Sequence, residues 1–151
     1  MILFALLIGI IAGLRALTAP AAVSWAAHSH GLALDGTWLA FLGYRFTPWI
    51  LSLLALAELV TDQLPGTPSR KVPPQFATRM LMGGISGAAI GASMGSLWPG
   101  AVLGVVGAVL GTYGGAAARA AMARAFGNDR PAALIEDVVA IGGAVLIVLA
   151  L

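Results

Sequence analysis

Glu58 and Asp62 stand four residues apart near the end of one strongly apolar run, and Glu136 and Asp137 stand side by side near the start of another. Carboxylates inside segments that otherwise read as lipid-embedded helix are costly. They face a bundle interior or an aqueous cavity and mark ion, proton or substrate sites by default. The first pair shares a helix face, where two bare like charges repel. A bound proton, a cation or a basic side chain must compensate them. Oxygen-only ligands of this kind suit protons or hard cations such as Na⁺, Mg²⁺ or Mn²⁺ better than zinc or copper. The four acids are therefore the expected ion- or substrate-binding residues, with Glu58 and Glu136 the deeper ones. No resident cofactor is expected, and no particular metal is indicated.

Arg15, Arg79 and Arg119 are the candidate charge partners. Arg79 leads, because Pro73 and Pro74 mark the start of its helix and put it about 8 Å inside. Arg119 falls near the same boundary, at the far end of the helix that follows Pro99. Arg15 is harder to place, since a helix starting at Met1 carries it roughly 21 Å deep, past the midplane. It meets the acids only by snorkelling, or if the first segment is tilted or broken. The same charges also fit a closed ion-pair network that fixes helix register and binds no external ion.

The elements that position these residues are membrane helices. With 60% hydrophobic and 9% charged residues and a mean hydropathy of +0.96, the composition lies far outside the soluble range. Five stretches approach the length of a span, at 2–27, 47–64, 75–97, 100–120 and 131–151. The expectation is an all-α, polytopic helical membrane protein in one domain, 1–151, with little outside the bilayer. Residues 2–14 resemble a signal-peptide core. No basic stretch precedes them and Pro20 suits a cleavage junction poorly, so the segment is expected to be retained. The run from Arg15 to Pro20 puts a cation and a proline mid-span, which fits a broken first helix of the kind that lines cavities. An embedded half-helix in place of a full first span is the alternative.

If all five segments cross, Arg70, Lys71, Arg79, Arg119, Arg124 and Arg130 share one side and Arg45 lies on the other. That puts the N-terminus in the cytoplasm and the C-terminus outside. Trp25, Trp38, Trp49 and Trp98 fall on the arginine-poor side, as an interfacial belt would.

Gly83, Gly87, Gly91 and Gly95 recur every four residues on the third span, and Gly107, Gly111 and Gly115 on the fourth, after Gly100 and Gly104. Small residues at this spacing let helix backbones approach closely. A glycine-zipper hairpin of spans three and four is expected, turning at Leu97-Trp98-Pro99-Gly100, and it argues against a wide pore.

The chain has no cysteine, so disulfides, thiolate metal sites and S-acylation are excluded. His28 and His30 could share a metal only in an irregular turn, and interfacial polar residues are the plainer account. The basic, proline-rich segment 64–74 is expected to be a stiff cytoplasmic loop whose Arg70 and Lys71 set topology. Glu58 and Asp62 share their acid pairing with membrane phosphotransferases but lack the surrounding glycine and arginine framework. No nucleophile elbow or nucleotide loop is present either, so no enzyme is expected.

Gly13-Leu14-Arg15-Ala16-Leu17-Thr18-Ala19-Pro20, Ala57-Glu58-Leu59 with Asp62, Pro65 and Pro68-Ser69-Arg70, and Glu136-Asp137 before Gly142 resemble a domain-of-unknown-function family of small bacterial integral membrane proteins. The resemblance implies a bacterial inner-membrane protein and no mechanism. The functional expectation is a proton- or cation-linked transporter of a small solute or ion in that membrane. It would work as a homo-oligomer, in the simplest case a dimer, with the lipid bilayer and no nucleic acid as its surroundings. The alternatives are a structural or assembly protein that binds other helices through its glycine faces, and a protein that handles lipid headgroups beside Arg70, Lys71 or Arg79.

Overall fold

The computed structural model describes residues 1–29, 31–64, 66 and 69–151; His30, Pro65, Thr67 and Pro68 lie outside the described residues. Among the described residues every regular element is helical: α1 (Ile2–Leu14), α2 (Thr18–His28), a 3₁₀ stretch (Trp38–Gly43), α3 (Thr47–Thr61), α4 (Pro73–Ala92), α5 (Leu97–Phe126) and α6 (Asp129–Ala150). α5 and α6 are long and apolar enough to cross a membrane, whereas α1 and α3 are apolar but shorter. Two of the five expected membrane segments thus form helices that pass on both length and composition.

The first segment departs most from expectation. It breaks where the charge and the proline suggested, with Arg15 in an extended conformation (φ −141°, ψ 111°). Pro20 does not kink a continuing helix; it sits in the first turn of α2, where the missing N–H costs no hydrogen bond. The chain also reverses there. α1 runs parallel to α5, with Gly9 facing Gly104 and Gly13 facing Ala108 and Gly111. α2 then leads back, because Trp25 near its far end contacts Trp49 and Ser52, while Glu58, further along α3, contacts Ala16 and Leu17. α1 and α2 are therefore the two arms of a helical hairpin, and its tip is Arg15 to Leu17.

α5 is the centre of the bundle. One glycine row, Gly100 and Gly104, meets Gly83, Gly87 and Gly91 of the antiparallel α4; a second row, Gly107 and Gly111, meets Leu6, Ile10 and Gly13 of α1. A Cβ at any of these positions would overlap the neighbouring backbone. The α4–α5 turn corrects two expectations. α4 ends at Ala92, and Leu97-Trp98-Pro99-Gly100 is the first turn of α5 rather than the connection. Gly95, expected to pack, instead takes the left-handed conformation (φ +69°) that closes the turn, with no atom near its Cβ position. It can do so at little cost because it has no side chain.

α5 stops at Gly127, also left-handed, and the Asn128 side chain accepts from the Arg130 N–H to begin α6. The interior is built from small and branched residues, among them Ala5, Ile8, Ala12, Val23, Ala89, Ile90 and Ala108. Large apolar side chains such as Leu53, Leu56, Val102, Leu110, Val138, Leu146 and Leu149 point outward.

Candidate functional site

Breaking a helix at Arg15 strands the last carbonyls of α1 and the N–H groups leading into α2, and each unpaired group is costly when buried. Both sets are met by charged side chains from other helices. The Glu58 carboxylate of α3 accepts from the Ala16 and Leu17 N–H groups, at 2.8 Å each. Arg79 Nη1 of α4 donates to the carbonyls of Gly13 (2.8 Å) and Leu14 (2.7 Å). The signs match the helix dipoles, an anion at the start of α2 and a cation at the end of α1.

Arg15 is fully buried and reaches the remaining acids of the layer. Its Nε donates to Asp137 Oδ1 at 2.6 Å and its Nη1 pairs with Asp62. Gln63 Nε2 donates to the second Asp137 oxygen at 3.1 Å. Glu136, 4% exposed, is held by Arg70, with Nη1 to Oε1 at 2.6 Å and Nη2 to Oε2 at 2.9 Å. Arg119 lies 3.7 Å from Glu136 but puts its two short bonds on Asp129, at 3.0 and 2.7 Å. The four expected acids and three expected arginines thus gather in one layer. The pairing differs from expectation: Arg79 is only 3.9 Å from Glu58 and bonds backbone instead, while Arg15 takes two acids.

Arg70 is the residue the sequence did not reveal. It was expected to mark a solvated loop, yet it folds back to Glu136 and is more enclosed than Arg119. The signal that could have exposed it is Gly115. A Cβ there would meet Leu14 and lie 3.0 Å from Arg70 Nη1, so this glycine makes room for the guanidinium as well as for α1. Asp129 was likewise missed as a partner of Arg119.

A cavity of about 340 Å³ opens on this layer, lined by Asp62, Arg70, Gln75, Arg79, Arg119 and Asp129, with Ser69, Ala116 and Ala120 completing it. Arg79 is 3% exposed, and its Nε finds no hydrogen-bond acceptor among the described residues. No cluster of three histidine or acidic residues suited to a metal occurs among the described residues. His28 Nδ1 lies 3.3 Å from the Gly43 carbonyl and its ring packs edge-on to Trp25; its suggested metal partner His30 lies outside the described residues, as do Pro65 and Pro68 of the family resemblance.

Comparison with protein-family models, with curated proteins and with solved structures finds no match to the chain, so function is read from the geometry of this layer.

Proposed function

We propose that the chain is a polytopic protein of the bacterial inner membrane that moves a small solute or ion, with the α1–α2 tip as its gate. The observation that carries this is the broken backbone at Gly13 to Leu17, whose freed donors and acceptors are held by Glu58 and Arg79 beside a polar cavity. Interrupted helices of this kind are tolerated at membrane depth where they are buried in protein or line a cavity, and transporters place their binding sites at them. The outward apolar faces of α3, α5 and α6 support the membrane setting, as does the length of α5 and α6.

Depth and direction agree. α1 has 13 residues. At 1.5 Å per residue it reaches about 20 Å into a core of about 30 Å. If α1 dips in from the arginine-poor side, its tip arrives in the cytoplasmic third, level with Glu58 and Asp62 at the end of α3 and Glu136 and Asp137 near the start of α6. This removes the difficulty of placing Arg15. Both termini then lie outside, α4, α5 and α6 cross, α3 together with the chain on either side of it makes the fourth crossing, and the hairpin takes the place of the expected first span. The glycine rows of α4 and α5 keep their expected zipper role, extended to α1. The chain works as a homo-oligomer, a dimer in the simplest case; α3, which buries only Pro48 and Ala55, has the least covered face.

Each acid is engaged by arginine or backbone N–H, which leaves few free oxygens to coordinate a bare cation, so coupling to protons is the form of the proposal to test. Proteoliposomes holding a pH-sensitive dye and challenged with a panel of small solutes test this. The native protein is expected to move protons with at least one solute, and folded Glu58→Gln and Glu136→Gln proteins are not. Unchanged flux in both variants would overturn the proposal. One observation favours a purely structural role: each of the four acids has an arginine within 3.9 Å. In that case the substitutions lower stability and the native protein carries no flux.

A further inference from the structure

We infer that the cavity beside the tip is an oxyanion site that takes a phosphate group; it deepens the solute reading above and rests on it for the meaning of the site. Arg79 carries the inference. Arg15, Arg70 and Arg119 each hold a carboxylate at short range, whereas Arg79 gives one nitrogen to two neutral carbonyls and leaves Nε without an acceptor among the described residues. Its nearest carboxylate oxygen is 3.9 Å away, and the side chain is 97% buried, the complement of its 3% exposure. A guanidinium in that state lacks a charged acceptor. A planar five-donor fork matches phosphate oxygens as it does carboxylate oxygens, and three guanidiniums around one cavity favour the more highly charged of the two.

The cavity supplies the remaining parts. Arg70 and Arg119 line it with Arg79, and Ser69 and Gln75 add neutral donors. About 340 Å³ lies at the small end of the range of small-molecule pockets, enough for a phosphate and a short organic remainder. Two acids also line it and must be accounted for. Asp62 is turned toward Arg15, which it shares with Asp137, so its charge is offset in part and an anion must sit on the Arg70 and Arg119 side of the cavity. Asp129 grips Arg119 through both oxygens while its side chain remains 61% exposed, so a phosphate can displace it without unburying it. Asp129 occupies the place of the anion when none is bound.

Phosphate chemistry reaches this cavity from two sources, a soluble phosphate or a lipid headgroup. Isothermal titration of the detergent-purified chain with inorganic phosphate and with glycerol 3-phosphate, and nanodisc binding with and without phosphatidic acid, tell them apart. Saturable binding of the soluble anions assigns a solute site, and binding only of phosphatidic acid a headgroup site; either supports the inference. Gln75→Glu puts a negative charge on the cavity wall in the first turn of α4, where an acid is tolerated, and is expected to weaken binding at least about tenfold. Asp129→Asn removes the internal competitor and is expected to tighten binding several-fold. Arg79→Lys, which keeps the charge and loses the fork, is expected to weaken it even if the tip still closes. Absence of saturable binding from either source overturns the inference, as does binding indifferent to both Gln75→Glu and Asp129→Asn. Because binding is read without flux, phosphate binding in a protein that moves nothing would sink the transport proposal and leave the site standing. Proton flux without phosphate binding would do the reverse.

Discussion

The glycine seam and the charged tip hold the same helices together by opposite means. Along the seam, α1, α4 and α5 meet backbone to backbone at Gly9, Gly83, Gly87, Gly104 and Gly111, with no charge and no room for an added atom. At the tip, Glu58 of α3 and Arg79 of α4 bond the backbone freed between α1 and α2, and around it Arg15 and Arg70 pair with acids of α6. Close packing has one arrangement and loses energy steeply when disturbed. Ion pairs and charge-assisted hydrogen bonds can exchange partners, and the proposed gate relies on that difference. A rigid frame beside a rearrangeable charged layer is what a gate requires.

The sharpest way to break this contrast is at Arg15. Arg15→Met leaves the half-buried Asp62 and Asp137 without their cation and is expected to cost about 3 kcal/mol, read as loss of thermal stability in detergent. Adding Asp62→Asn and Asp137→Asn should recover a large part of it. The seam fails for a different reason. Gly104→Val drives a branched side chain into the backbones of Gly83 and Gly87 and is expected to destabilise by about 1–3 kcal/mol or more, with no rescue by any change of charge. Rescue of Gly104→Val by a charge substitution would erase the distinction between the two regions.

Glu58→Gln is subtler. The amide offers one acceptor oxygen where two N–H groups need one each, so about 1–3 kcal/mol is expected, with faster hydrogen exchange confined to Ala16 and Leu17. Exchange that quickens along the seam instead would show that the two regions are not separable. The smallest effect is a control. Gly142 has no atom near its Cβ position, so Gly142→Ala is expected to be neutral or to stabilise by up to about 1 kcal/mol through helix propensity.

The two regions also differed in how far the sequence disclosed them. The seam was visible in the four-residue glycine spacing, because packing on a helix follows a local period. Its reach onto Gly9 and Gly13 was overlooked, although these two glycines stand at the same four-residue spacing. The acids of the tip and the break at Arg15 were legible as charge and proline in apolar surroundings. The pairing was not. It depends on the reversal at Arg15, and nothing local distinguishes a kinked span from a hairpin. Once the direction of α1 is inverted, Arg15 falls at the depth of Asp62 and Asp137, and Arg79 is left to close the backbone. Arg70 stayed hidden because a basic residue in a proline-rich loop resembles a topology signal, and only the vacancy over Gly115 on α5 betrays its place.

The direction of α1 is thus the claim on which the tip, the gate and the depth of the arginines all depend. The chain has no cysteine, so single cysteines report cleanly. Ile2→Cys, Ser29→Cys and Arg124→Cys proteins in intact cells can be labelled with a membrane-impermeant maleimide, with labelling after permeabilisation as reference. Ile2→Cys and Ser29→Cys are expected to react together from outside, with Arg124→Cys protected until the cells are opened. If Ile2→Cys is protected alongside Arg124→Cys while Ser29→Cys reacts, the first segment crosses the membrane and the hairpin does not exist.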